Sequence, residues 1–180
     1  MGKTSFVDAS FMGENPANSY NTEGPMIRSL LISVNMVQYQ LDIIDPLPEM
    51  FKYHAIICAD AFLVMYSIID EASLKEAEEK MNLIREKRRD FDLGVPIFLV
   101  GNKCDLEESR ELSQLEGLTL ASKYINCKFF ESAGRFGVPV STILQEIVQE
   151  LLRMGIVPVK KPNFRGLQAI PEQSNYCIIL

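Results

Sequence analysis

The spacing of apolar and polar residues changes period several times along the chain. Ile27 to Val34 and Val37 to Ile44 predict two neighbouring strands, with Asn35 near the turn between them. Ala61 to Ile69, AFLVMYSII, is continuously apolar, as expected of a strand covered on both faces. Ser73-Leu74-Lys75-Glu76 has the spacing of a capping box, in which a hydroxyl and a carboxylate satisfy free amides at a helix start. Leu74, Ala77, Met81 and Ile84 then fall on one helical face, Lys and Glu fill the other, and Gly94 ends the segment. Val95 to Val100, VPIFLV, predicts the next buried strand. Leu112 to Tyr124 predicts a helix, and Lys128 to Phe130 a short strand. Val140, Ile143, Leu144, Ile147 and Leu151 form the stripe of a last helix, with Pro139 near its start and Gly155 past its end.

Strands interleaved with helices predict an α/β layered sheet. In such folds ligands sit beyond the carboxyl ends of the strands. The stretch Val100-Gly101-Asn102-Lys103-Cys104-Asp105 puts an amide, an ammonium and a carboxylate at that edge. Two readings are open. These groups read the edge of a base, or a strand has ended and polar residues go to water. Their position favours binding.

Composition narrows the field. A chain of 180 residues, 47% hydrophobic and 23% charged, suits one globular domain with a full core. The formal net charge of -6 argues against broad nucleic-acid binding, which needs clustered Lys and Arg. Cys58, Cys104, Cys127 and Cys177 make no CxxC pair, and a single His leaves little for a metal site built on cysteine and histidine. The first three thiols read as small apolar groups in a reducing compartment. No apolar run approaches the roughly 18 residues of a membrane span, and the N-terminus has neither a secretory nor a myristoylation pattern.

Three further motifs align with Asn102-Lys103-Cys104-Asp105. Gly2-Lys3-Thr4 matches the tail of the phosphate-loop pattern GxxxxGK[ST]. Leu41-Asp42-Ile43-Ile44-Asp45 ends a strand with a carboxylate, and Glu131-Ser132-Ala133 follows the short strand near Phe130. In this order the four motifs resemble the Ras family of small GTPases, over roughly Gly2 to Met154. The distance from NKCD to ESA leaves no room for the extra helix of the Rho branch. The resemblance implies the P-loop small GTPase fold: an α/β, mostly parallel sheet with helices on both faces, here without its first strand. It implies a Ras-like GTP-binding domain over 1–154, incomplete at its N-terminus. Its cofactors would be GTP or GDP with Mg2+.

The resemblance also implies roles. Asp105 would accept hydrogen bonds from the guanine amino and ring N–H groups, leaving an adenine rejected because the carboxylate would go unpaired. Asn102 would tie the site together, Lys103 would pack its stem against the base, and the Ala133 amide, next to Ser132, would meet the guanine oxygen. Gly2, Lys3, Thr4 and Ser5 would hold the phosphates. Thr4 would ligate magnesium, with Asp45 behind a bound water and Thr22 closing the first switch. The switch segments lie near Asn18 to Ile27 and Asp45 to Lys52.

The chain departs from the family pattern in two places. It starts inside the phosphate loop, without the strand that lies mid-sheet in the family. Two neighbouring strands would then each expose an edge. Either Met1 is an internal methionine of a longer chain, or the protein is a truncated relative. The second departure is Asp45-Pro46-Leu47-Pro48-Glu49 in place of the family's Asp-Thr-Ala-Gly-Gln. Pro48 has no N–H to offer a γ-phosphate. Glu49, at the catalytic position, has a carboxylate where an amide orients water. The expectation is nucleotide binding with slow hydrolysis of GTP to GDP and phosphate.

Residues 155–180 read as a flexible arm rich in proline, glycine and polar residues. The arm ends Cys177-Ile178-Ile179-Leu180, a C-a-a-X box whose leucine favours a geranylgeranyl group on Cys177. The leading expectation is a Ras-like switch in membrane-linked signalling, at the cytoplasmic face of a membrane such as the plasma membrane. Its partners would be effector, exchange-factor and GTPase-activating proteins, with no nucleic acid. The alternative is a catalytically inactive pseudo-GTPase acting as a membrane-tethered scaffold. A P-loop kinase for a small substrate explains neither NKCD nor the terminal box.

Overall fold

The computed structural model describes residues 26–45, 56–88, 94–133, 136–156 and 175–179. Strands β1 (Met26–Val34) and β2 (Val37–Asp45) form an antiparallel hairpin with Val34 opposite Val37. Asn35 and Met36 both take left-handed backbone, at φ of 51° and 64°. A two-residue turn of that hand matches the twist of its strands, and an asparagine tolerates it well.

Strands β3 (Ala61–Ser67), β4 (Ile97–Asn102) and β5 (Cys127–Ala133) run parallel to one another, and the short β6 (Phe136–Gly137) turns back along β5. A seventh strand, β7 (Asn175–Ile179), lies between β2 and β3 and parallel to both. The sheet order is therefore β1-β2-β7-β3-β4-β5-β6. This differs from the expected flexible arm. In the described sheet β2 and β3 do not pair with each other, and each pairs with β7. Residues 157–174 lie outside the described residues.

Helices α1 (Glu71–Lys87) and α2 (Gln114–Ser122) cover one face of the sheet, and α3 (Val140–Arg153) covers the other. Strand alternation divides the core accordingly. Leu41, Ile43, Leu63, Met65, Phe98 and Val100 pack with Ile143, Leu144, Ile147 and Leu151 of α3. Phe62, Val64, Tyr66 and Leu99 pack with Ala77, Met81 and Ile84 of α1 and Leu120 of α2. Every residue of β3 is buried, which is why its sequence shows no alternation. Each such large apolar side chain contributes about 1.5–3 kcal/mol relative to exposure.

The helix starts hold one correction. The cap of α1 is Asp70, whose carboxylate accepts from the Ser73 amide at 3.3 Å, and the helix begins at Glu71. Ser73 is buried against the end of β3. Its Oγ donates to the Asp70 carbonyl at 2.7 Å and accepts from the Ser67 amide at 2.8 Å. Burial claims the hydroxyl for tertiary contact, so it does not cap. A true capping box stands at α2. There the Ser113 amide donates to Glu116 Oε2 at 2.7 Å, and the Glu116 amide donates to Ser113 Oγ. Pro139 precedes α3 as its cap, and Gly155 follows at φ 71°.

Candidate functional site

The site is set by where three parallel strands stop. Ser67, Asn102 and Ser132 are level across β3, β4 and β5. Asn102 is the last residue of β4 rather than the first after it, and it is buried. Its carbonyl accepts from the Ile68 amide at 3.1 Å, which binds the chain leaving β3 to the chain leaving β4. Lys103 then turns the backbone through a left-handed φ of 68°. That conformation is strained for a side chain of its size and is kept by the turn around it. The turn is closed by the Leu106 amide donating to the Lys103 carbonyl at 2.9 Å. Lys103 and Cys104 are half-buried, and Asp105 is exposed. A carboxylate thus stands in solvent beside the buried amide residue that ends the strand.

The loop from 103 to 112 is pinned at both ends. Past a short 3-10 turn at Glu107–Ser109, the amides of Glu111 and Leu112 both donate to the Ile68 carbonyl, at 2.9 and 3.0 Å. Arg110 anchors the middle. Its guanidinium donates to Glu131 Oε1 at 2.8 Å and Oε2 at 2.9 Å, to Glu107 through Nε, and to the Leu112 carbonyl at 2.9 Å. The two-point fork to Glu131 fixes orientation as well as distance. The Glu131 and Glu107 carboxylates hold Arg110 firmly in its charged form. Burial, with the Glu131 and Asp105 carboxylates, pushes the Cys104 thiol up, so it remains protonated near neutral pH.

The second motif is also part of a strand. Glu131, Ser132 and Ala133 end β5 instead of following it. Ser132 Oγ donates to the Val138 carbonyl at 2.7 Å, and Ala133 is opposite Phe136 in β6. The fork from Arg110 therefore joins the loop after β4 to the end of β5. Beneath them, Tyr66 stacks with Phe129 at 6.5 Å between ring centroids. The Tyr66 hydroxyl is buried without a hydrogen-bond partner among the described residues, and burial pushes its pKa well up. Gly117 of α2 makes room for this pair, since a Cβ there would lie 2.4 Å from the Phe129 ring and 2.5 Å from the Tyr66 hydroxyl.

Asn102, Lys103, Asp105, Ser132 and Ala133 are thus gathered at one edge of the sheet. Asp45 ends β2, and its side chain is not described. Gly2, Lys3, Thr4, Ser5, Thr22, Pro48 and Glu49 lie outside the described residues. Arg110, Tyr66 and Gly117 were missed by sequence reasoning. Arg110 sits in a charged stretch where nothing distinguishes it, and its partner is 21 residues away.

A mostly parallel α/β sheet with Asn102-Lys103-Cys104-Asp105 at its carboxyl edge is the arrangement expected of a Ras-type small GTPase. The family model described as Ras family matches residues 1–153, and the chain belongs to that family. Among curated relatives it is 38% identical over 94 residues to the GTP-binding protein Rit2 of Rattus norvegicus, covering 52% of this chain and 42% of that one. It is 45% identical over 92 residues to the Ras-like protein rasS of Dictyostelium discoideum, covering 51% and 46%. The GTP-binding protein GEM of Pongo abelii is 39% identical over 103 residues, covering 57% and 34%. In each case the match spans less than half the length of the relative.

Proposed function

We propose that the protein is a guanine-nucleotide-binding switch of the Ras type, in membrane-linked signalling, with slow hydrolysis of its own. One observation carries this reading: buried Asn102 at the end of β4, followed by Lys103 and exposed Asp105, level with Ser132 and Ala133 of β5. Asp105 would accept from two guanine N–H donors, and adenine offers no such pair there. Lys103 would lie along the base, and the Ala133 amide would donate to the guanine oxygen. Lys3 and the amides of Gly2, Thr4 and Ser5 would hold the phosphates.

Thr4 and Thr22 hydroxyls with the Asp45 carboxylate form a hard oxygen set, which suits magnesium in the presence of phosphate. Bound there, Mg2+ would offset the phosphate charge. Pro48 has no N–H to give a γ-phosphate, and Glu49 adds negative charge where a water must be oriented. These two residues favour a second reading, a pseudo-GTPase that holds nucleotide and serves as a scaffold. Effector, exchange-factor and GTPase-activating proteins would engage the switch segments. The geranylgeranyl group on Cys177 would tether the protein to the cytoplasmic face of a membrane, the plasma membrane first among them.

Exchange of a fluorescent guanine nucleotide, with and without Mg2+, tests this. Guanine nucleotide should bind, and excess ATP should leave it in place. Displacement by ATP as readily as by GTP would overturn the reading. Phosphate release raised by a GTPase-activating protein would select the switch, and binding with no turnover would select the scaffold.

A further inference from the structure

Helix α2 is apolar on two sides. Leu120 and Ala121 on the helix, with Leu112 before it and Tyr124 after it, are buried in the core. Gly117 lies against Phe129 and Tyr66 of the sheet. These residues seat the helix. On the outer side Leu115 and Leu118 remain 70% and 49% exposed. Three residues apart, they are neighbours on the helix surface. A lone exposed leucine is ordinary, but two together on a helix of nine residues make a patch that the fold does not use. The surroundings of this patch are acidic. Glu108, Glu111 and Glu116 are exposed, and the last two flank Leu115 in the chain. Glu111 accepts from the Glu71 amide and Glu116 from the Ser113 amide, and among the described residues none of the three carboxylates is in an ion pair. The cations that adjoin α2 in the chain are engaged elsewhere: Arg110 by Glu107 and Glu131, and Lys123 by Glu78.

We propose that the outer face of α2 is a docking surface for a basic amphipathic helix of a partner protein, one whose apolar side chains are flanked by Lys or Arg. Charge selects this occupant. An apolar pair beside carboxylates that no cation compensates matches a partner that buries its own apolar residues and brings cations to the rim. A second copy of this chain would set the same carboxylates against each other across a two-fold axis, and facing like charges oppose association. A membrane surface rich in anionic lipid would be repelled in the same way. The helical form of the partner follows from the spacing of Leu115 and Leu118, whose ridge fits between the side chains of another helix. A face this short offers a small interface, so the contact belongs to the transient class. The proposal is independent of the nucleotide reading, since no residue of the patch is assigned to the base or the phosphates.

Fluorescence anisotropy of a labelled ~15-residue peptide of leucine and lysine at helical spacing, added to the full chain, tests this. Saturable binding is expected. The double variant Leu115→Ser with Leu118→Ser should weaken it at least ~10-fold. Glu108→Lys with Glu111→Lys should do the same without touching the leucines. All four positions are exposed, so urea midpoints should stay near the parent value. Leu31→Ser, at an exposed leucine of β1, should leave binding unchanged. A peptide with glutamate in place of each lysine should not bind. Absence of saturable binding to the parent chain would overturn the proposal, and so would equal binding by the parent and the serine variant. Two further outcomes would overturn it in favour of another occupant. One is a dimer in sedimentation equilibrium that the serine pair abolishes. The other is flotation with phosphatidylserine vesicles that the serine pair abolishes.

Discussion

Arg110 holds Glu131 through two parallel hydrogen bonds, of 2.8 and 2.9 Å, and so ties the loop after β4 to the end of β5. Both side chains are mostly shielded, at 18% and 12% exposure, so solvent weakens the pair only in part. Arg110→Met should therefore lower unfolding stability by about 2 kcal/mol, since it leaves Glu131 without its charged donor. It should also speed release of bound guanine nucleotide, because Asp105 loses a fixed support. Urea unfolding and nucleotide off-rates measure the two effects. Unchanged off-rates in a destabilised variant would confine Arg110 to folding.

Asp105 is exposed, and its proposed role is recognition alone. Asp105→Ala should leave stability within about 0.5 kcal/mol, as surface substitutions usually do. Loss of hydrogen bonds from two guanine donors to a charged acceptor should weaken GDP binding by about 3 kcal/mol, roughly a hundredfold. Titration calorimetry and thermal unfolding of the same samples give both numbers. Tight GDP binding in this variant would dismiss Asp105 as the base reader.

Gly117 sits against the stacked pair of Tyr66 and Phe129. Gly117→Ala gains about 1 kcal/mol of helix propensity, yet its methyl would need the space of the Phe129 ring edge. Overpacking of about 1–3 kcal/mol should win, giving a net loss of stability. Phe129→Leu in the same chain should recover part of that loss. Tyr66→Phe, which deletes a buried hydroxyl with no hydrogen-bond partner among the described residues, should be neutral or stabilising by about 1 kcal/mol. Denaturant midpoints of the four proteins check the set.

Glu150 of α3 is buried and bonded to Arg153, whose guanidinium, with Lys128 at 3.1 Å, holds its carboxyl below the usual range against the opposing effect of burial. A carboxyl with a folded pKa below its unfolded pKa stabilises the fold above the unfolded value. That stabilisation fades as pH falls through the folded value. Stability should therefore decline as pH drops below about 4.5. Glu150→Gln should be less stable than the parent at pH 7, with a shallower loss in acid. Urea midpoints between pH 3 and pH 7, roughly the window set by the carboxylate range, test this. A parallel decline in both proteins would remove Glu150 from the account.

Local signals explain which parts of the chain were legible as sequence. The continuous run in β3 and the α3 stripe depend on nearest neighbours in one element, so period alone revealed them. The polar residues Asn102, Lys103 and Asp105 were legible because their spacing is carried within one short stretch. The limits of strands were less so: β4 and β5 extend through Asn102 and Ala133 because they continue to pair level with each other, which no single segment encodes. The Ser73 misreading has the same origin. Its spacing to Glu76 suits a cap, but burial against β3 takes the hydroxyl elsewhere.

By itself the sequence determined the alternation of strands and helices, the apolar faces of α1 and α3, and the polar residues that stand at the carboxyl edge. Each of these depends on contacts a few residues apart. Only tertiary structure decided that Arg110 braces Glu131, that Gly117 accommodates two rings, and that residues 175–179 close the middle of the sheet. Those relationships join segments far apart in the chain. They are selected by buried backbone groups and fixed volumes that must be matched in space, whatever the local pattern favours.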